Sequence, residues 1–432
     1  MQRVIKWFTP IRIIALGFIA VILIGSLLLS LPCSLREGIE LPYIDALYMS
    51  TSAVCVTGLS TVDAGSTFSP LGQFFLGLLM QIGGLGVTVV GAGAILLIGK
   101  KIDLKGRNAV REAMNLGAGR SVIRFVRGVL LMTLVIETVG AIASFFVFIK
   151  DFPLPRAIGI SLFHSVAAFN NSGFDILGNG NSLAMYESNV ALNIITAVLI
   201  ILGGIGFLVI RELIARRFHP KKLSMHTKIV LTVSLVLIAS GTLLLKLTDN
   251  ISWLTAFFTS VSTRTAGFAT FSMGELSNAG MIVVMLLMVI GASPGSTGGG
   301  IKTTTVFVLL YGLVASATNR SEKAFNYSIP KNAFRKACVI LLLAFSVIAV
   351  SSFSICVIEP SLDLRDVLFE MSSAMGTVGL STGITPGLAT GSKIISMLVM
   401  YVGRLGPLTV ASLWYFSKVE RVRYPDGNIA IG

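Results

Sequence analysis

The sequence predicts an all-α, polytopic membrane protein built from four tandem units of span, half-helix, loop and span around a pseudo-fourfold axis. Three observations carry that expectation. The 432 residues are 54% hydrophobic and only 12% charged, about half the charged share of roughly 25% in ordinary soluble domains. Basic runs alternate with acidic segments along the chain. One short pattern also recurs four times between long apolar stretches. Its copies are Val56-Thr57-Gly58-Leu59, Asn171-Ser172-Gly173-Phe174, Thr265-Ala266-Gly267-Phe268 and Thr377-Val378-Gly379-Leu380.

Crossing a bilayer takes about 20 apolar residues. Eight stretches qualify, near residues 12–32, 71–98, 125–149, 190–213, 227–248, 279–316, 334–358 and 394–417. The first follows Arg3, Lys6 and Arg12, and Leu31-Pro32-Cys33 is a poor cleavage site. It therefore reads as a retained span rather than a signal peptide. The eight form four pairs, in repeats at 1–99, 100–218, 219–320 and 321–432. Within each pair lies a shorter stretch ending at the repeated loop: 43–54, 157–169, 251–262 and 364–375. About 12 residues give roughly 18 Å of helix, too little to span, so these read as re-entrant half-helices. Non-helical backbone at that depth is tolerated only inside protein or beside water. The expected architecture is therefore eight transmembrane helices plus four re-entrant half-helices. The second span of each unit carries a small-residue mark: Gly83-Gly84, Gly203-Gly204, Gly291-Ala292 and Gly403. Small residues permit close helix approach in lipid.

Charge fixes the expected orientation. Residues 100–127 carry eight basic residues against two acids, 211–228 six against one, and 320–336 five against one. The tail adds Lys418, Arg421 and Arg423. The intervening segments hold the acids, among them Asp45, Asp63, Asp175, Glu187, Asp249 and Glu370. Basic loops on the cytoplasmic side put both termini in the cytoplasm of a plasma-membrane protein. The same distribution argues against nucleic acid as the reason for the net charge of +14. Acidic outer loops would draw cations toward a pore mouth. The four cysteines show no metal-binding or disulfide spacing.

Four like loops around an axis are the geometry of an ion filter made of backbone carbonyls. Such carbonyls replace a cation's hydration shell without adding net charge. Aiming several at one axis needs backbone angles that glycine reaches at little steric cost. A half-helix ending before the loop also turns its negative dipole end toward the cation. The candidate filter residues are Val56, Thr57, Gly58, Asn171, Ser172, Gly173, Thr265, Ala266, Gly267, Thr377, Val378 and Gly379.

The third unit departs from the rest. Residues 291–300 contain five glycines and one proline, which a continuous helix would not tolerate, at about 1 kcal/mol per glycine and 3 per proline. No phosphate-loop signature is present. A loop across the pore beneath the filter is expected here, with no comparable interruption in the other three second spans. Gly291, Ser293, Gly295, Gly298, Gly299 and Gly300 are the candidate gate backbone, with Lys302 at its end. Arg404 sits mid-span, where an arginine costs at least about 2.5 to 3.5 kcal/mol and so should face a cavity and a partner. The carbonyls of the 291–300 loop are the partners expected for it. Glu137 is a second intramembrane charge, expected to form an ion pair with a lysine or arginine. His164, on the second half-helix, is expected to pack or hydrogen-bond.

These residues resemble the Trk/Ktr/HKT potassium transporters, and within them the Ktr-type (KtrB-like) membrane subunit. The resemblance rests on the four single-glycine loops, Ile82-Gly83-Gly84-Leu85-Gly86, Gly298-Gly299-Gly300-Ile301-Lys302, Gly403-Arg404-Leu405-Gly406-Pro407 and Arg423-Tyr424-Pro425-Asp426-Gly427. It implies K+ as the ion held at the filter residues, and selectivity for it because all four loops keep glycine. It implies that 291–302 is the intramembrane gate loop. One glycine per loop, rather than the two of TVGYG channels, leaves room for some Na+. The resemblance also implies a homodimer on a cytosolic nucleotide-binding regulatory ring (KtrA-like). ATP or ADP would then bind that partner, with no cofactor in this chain and no contact with nucleic acid. The loops at 100–127, 211–228 and 320–336 are the expected docking surface. A sodium-coupled transporter with alternating access is the competing reading. No HExxH motif or nucleophile–base pair points to an enzyme.

Overall fold

The computed structural model describes residues 9–98, 102, 104–114, 121–178, 180, 182–319, 323–330 and 332–413. Helix dominates. Among the described residues the strands form one hairpin, Lys323–Ala324 paired with Tyr327–Ser328. Among the described residues, four helices are long and apolar enough to cross a membrane: Pro10–Leu29, Val122–Phe148, Met225–Thr248 and Ala333–Ile358. Each of the first three begins at a side-chain cap. Thr9, Ser121 and Ser224 accept from the backbone N–H three residues on, which satisfies a donor that the first turn cannot. Only 28–39% of each apolar stretch is buried inside the protein. Leu131, Leu134, Val139, Leu342 and Phe353 stand more than half exposed. Apolar surface on that scale needs lipid against it.

A shorter helix follows each span: Tyr43–Cys55, Leu154–Phe169, Trp253–Ser262 and Leu364–Gly376. Unlike the spans, these are buried over most of their length, and Tyr48, Met49, Phe258, Phe369 and Met371 are fully enclosed. They pack against the long spans and against the second helices of their own and neighbouring units, so the apolar core surrounds the four loops that end them.

The second helices of the first, second and fourth units also break, each at a single residue. Pro70–Leu85 bends by 100° into Val87–Leu96, and Val190–Ile205 bends by 96° into Phe207–Ala215. In the fourth unit Thr390–Leu405 gives way to Pro407–Ser412. The hinge is a glycine at positive φ each time: Gly86 at 86°, Gly206 at 92° and Gly406 at 88°. That backbone region ends a right-handed helix, and Pro407 restarts one without needing a partner for a missing N–H. Helix propensity alone pointed to the ten-residue break, and a single glycine in an apolar run was a weaker signal. The third unit has the longest interruption, between Asn278–Val289 and Thr303–Ala317. Counting each bent pair as one span brings the membrane-crossing helices to six by length and composition.

Two of the acids lie within the expected half-helices. Glu370 is on the fourth short helix and is 1% exposed. Asp45 likewise sits in the first turn of Tyr43–Cys55 and pairs with Lys393 at 2.7 Å. The tail residues Lys418, Arg421 and Arg423–Gly427 lie outside the described residues.

Candidate functional site

The four short helices converge, and their C-terminal loops meet. At Gly58 a side-chain carbon would collide with the carbonyl of Ser172, and at Gly173 with that of Ala266. At Gly267 it would meet the Val378 carbonyl, and at Gly379 the Thr57 carbonyl. Each glycine abuts the next loop in order and the fourth returns to the first, so the loops close a ring. No residue larger than glycine fits these positions without moving backbone.

The backbone explains how the carbonyls are freed. The four glycines have φ of 94°, 69°, 79° and 99°. Two residues earlier, Val56, Asn171, Thr265 and Thr377 also take positive φ, between 51° and 76°. For β-branched valine and threonine this is a strained conformation, held only where surroundings impose it. The short helices end in this reversal, so the loop N–H groups turn back onto their own helices. Thr57 N donates to Ser52 O at 2.8 Å, Ser172 N to Ala167 O at 2.9 Å, Ala266 N to Ser262 O at 2.9 Å and Val378 N to Ser373 O at 2.9 Å. In the outer two units a serine hydroxyl takes the glycine N–H as well, Gly58 N on Ser52 Oγ and Gly379 N on Ser373 Oγ, each at 3.0 Å. With these donors spent on the helices, the carbonyls of Thr57, Ser172, Ala266 and Val378 each lie against the glycine of a neighbouring loop. Ser52 and Ser373 were missed in the sequence; their signal was a hydroxyl six residues before the glycine.

Outside the ring lies a cavity of about 140 Å3 lined by the four glycines together with Asp63 and Asp175. Burial pushes the Asp175 carboxyl up to about 6; the Asp63 charge adds to the rise, while backbone N–H groups of Leu177 and Gly178 oppose it.

On the opposite face of the ring lies the 291–302 loop. Its neck is closed by pairing of Ile290 with Ile301. Gly299 N donates to Thr377 Oγ1 at 3.1 Å, directly under the fourth loop. Thr297 Oγ1 donates to Phe169 O at 3.1 Å, at the end of the second short helix. Ser293 N and Thr297 N donate to Gly204 O and Gly203 O, Phe207 N donates to Gly295 O, and Gly300 N donates to Gly403 O. The small-residue marks of the second and fourth units are thus backbone docking points for this loop. Arg404 donates to Thr297 O of the loop, to Gly83 O, and to Gly84 O at 3.1 Å. Lys302 Nζ donates to Gly298 O at 2.8 Å and Gly299 O at 3.2 Å. Two cationic side chains therefore occupy carbonyls of this loop and of the first unit's second helix. Below the loop a cavity of about 440 Å3 opens, lined by Arg404, Lys302, Gly295 and the hinge glycines Gly86 and Gly406.

Glu137 meets neither a lysine nor an arginine among the described residues. Its carboxylate accepts from Gln81 Nε2 at 3.2 Å and Asn170 Nδ2 at 3.1 Å. Side-chain amides, which carry no sequence signal as partners, replace the expected ion pair. His164 Nε2 lies 2.9 Å from Thr196 Oγ1, between Phe148 and Phe268. Arg264, just before the third loop, was also missed; it is 7% exposed and donates to Ser234 O and Oγ.

A membrane-embedded ring of carbonyl loops with cations beneath it describes a cation-translocating protein. Residues 8–251 and 223–418 match the TrkH family, described as cation transport protein, and the chain belongs to that family. It is 36% identical to "Potassium/sodium uptake protein NtpJ" of Enterococcus hirae, over 100% of this chain and 99% of that one. "Ktr system potassium uptake protein B" of Bacillus subtilis is 36% identical with the same coverage. The protein of that name from Vibrio alginolyticus is 32% identical over 98% of this chain and 94% of its own. The fold matches the crystal structure of the potassium transporter TrkH from Vibrio parahaemolyticus, with a TM-score of 0.73 and 19% identity, over 92% of this chain and 84% of that one. The chain is thus a multi-pass membrane protein of a cation transport family, not an enzyme.

Proposed function

We propose that this chain is the ion-translocating subunit of a Ktr-type potassium uptake system in the plasma membrane. K+ passes a filter formed by the residues at and before Gly58, Gly173, Gly267 and Gly379. The loop from Gly291 to Lys302, held by Arg404, closes the path beneath. The closed ring of glycines is the observation that supports this most, because backbone acceptors around one axis can replace water on a monovalent cation. One glycine per loop gives fewer sites than a two-glycine filter, and we infer some Na+ permeation. The name of the Enterococcus relative, "Potassium/sodium uptake protein NtpJ", agrees with that inference. Both termini face the cytoplasm, by the distribution of basic residues. The working unit is a homodimer on a cytosolic nucleotide-binding ring, where ATP or ADP acts; the names of the Ktr relatives, which place them in a multi-component system, support this. The four repeats at 1–99, 100–218, 219–320 and 321–432 each contribute one quarter of the filter.

Rubidium and sodium flux into liposomes containing the purified protein tests the reading. Flux that follows the electrical gradient is expected, whereas obligatory stoichiometric exchange would mean alternating access. Gly58→Ser should lower the K+/Na+ permeability ratio, because a side chain there displaces the Ser172 carbonyl. An unchanged ratio would remove Gly58 from the filter.

A further inference from the structure

Position nine before the repeated glycine is occupied by Met49, His164, Phe258 and Glu370 in the four units. Packing alone is satisfied there by methionine or phenylalanine. A carboxylate in the same place, 1% exposed, has a desolvation cost that needs a return. No lysine or arginine forms an ion pair with it among the described residues. Its partners are all on the segment that leaves the fourth loop. Oε1 accepts from Ser381 Oγ and, at 3.1 Å, from Thr382 N. Oε2 accepts from Thr385 Oγ1 at 2.9 Å. Ser381 Oγ in turn accepts from Gly383 N at 2.8 Å.

A carboxylate suits this task because it is acceptor-only and takes several donors at once. Glutamine offers one oxygen, and its NH2 would face either Thr385 Oγ1 or Ser381 Oγ with the Thr382 N–H, groups that donate to the carboxylate. Ser381 is two residues past Gly379 and lines the outer cavity beside it. The fourth short helix therefore grips its loop on both sides, through Ser373 on the Gly379 N–H and through Glu370 on the exit. The matching positions in the first and third units, Met49 and Phe258, offer no oxygen, so this brace belongs to one quarter of the ring.

We propose that Glu370 is a positioning residue for ion discrimination: by holding Ser381, Thr382 and Thr385 it fixes the outer end of the fourth loop, and so the spacing of the carbonyls at Gly379. The proposal rests on the filter reading above. A carbonyl ring separates ions by size only while its spacing is held, so loosening one quarter should admit Na+ relatively more.

The test is the K+/Na+ permeability ratio in proteoliposomes of the full chain, with wild type and Gly58→Ser measured alongside. Glu370→Gln should lower the ratio several-fold while K+ flux persists. Ser381→Ala and Thr385→Val remove donors and keep the charge; each should lower the ratio in the same direction, and combining either with Glu370→Gln should add less than its separate effect. Should Glu370→Gln not fold, the two donor variants carry the test alone. A wild-type ratio with either donor variant, or an equal loss of both fluxes in Glu370→Gln, overturns the positioning role. A wild-type protein without K+ preference, or one indifferent to Gly58→Ser, overturns the filter reading itself.

Discussion

Val56 and Thr377 hold left-handed backbone that β-branched residues avoid, at φ of 56° and 51°. Both side chains are fully enclosed, and their N–H groups bond back to Ala53 O and Ala374 O. The enclosing core holds the strain, of order 1–3 kcal/mol per residue, at the position that turns the carbonyls. Asp175 shows residue-level electrostatics outside the ring. Its carboxyl is raised from 3.8 to about 6, chiefly by burial. The sign follows directly. Above pH 6 the folded protein carries a charge at the mouth that attracts cations, and as external pH falls through 6 that charge is lost. K+ uptake should therefore fall over this window in wild type and lose that component in Asp175→Asn, measured as rubidium influx against external pH. Because the folded state binds this proton more tightly than the unfolded chain, the same group should add stability on acidification, from above pH 6 toward pH 4.

At the scale of elements, the loop from Gly291 to Lys302 is pinned on the second and fourth units, mostly by backbone hydrogen bonds. The side chains that hold it are few, and Arg404 reaches the most distant partners, Thr297 O and Gly83 O. Arg404→Ala should raise K+ uptake at a fixed gradient, since it removes both a clamp and a positive charge from the path. Unchanged rubidium flux in a folded variant would deny it that role. The elements also show what could be read from residues alone. The four long spans, the short helices and the four loops were legible because apolar length and a repeated glycine are local signals. Arg404's bond to Thr297 was legible because a mid-span charge must find acceptors. The hinges at Gly86, Gly206 and Gly406 were not, since one glycine in an apolar helix costs too little to demand a break. The amide partners of Glu137 and the burial of Glu370 escaped notice for a different reason. Both depend on which helices face each other, and residues 56 apart, as Gln81 and Glu137 are, carry no spacing rule.

At the scale of the whole molecule, the ring must close between its last unit and its first. Lys393 and Asp45, 348 residues apart, make that closure with a 2.7 Å ion pair whose side chains are each 11% exposed. Beside it, Tyr48 Oη lies 3.0 Å from Ser396 Oγ. Breaking a buried pair leaves a charge uncompensated and costs about 3–5 kcal/mol. Lys393→Met should therefore lower the thermal unfolding midpoint in detergent, and adding Asp45→Asn should recover part of the loss. A midpoint unmoved by Lys393→Met would mean that the seam is held by packing alone.

Because one polypeptide supplies all four loops of the ring, a codon change in any one of them alters one quadrant, once. In assemblies of four identical chains the same change would arrive in quadruplicate. Here the walls can be retuned separately, so swapping the residues of one quadrant for those of its neighbour should give a graded series of permeabilities rather than an all-or-none collapse.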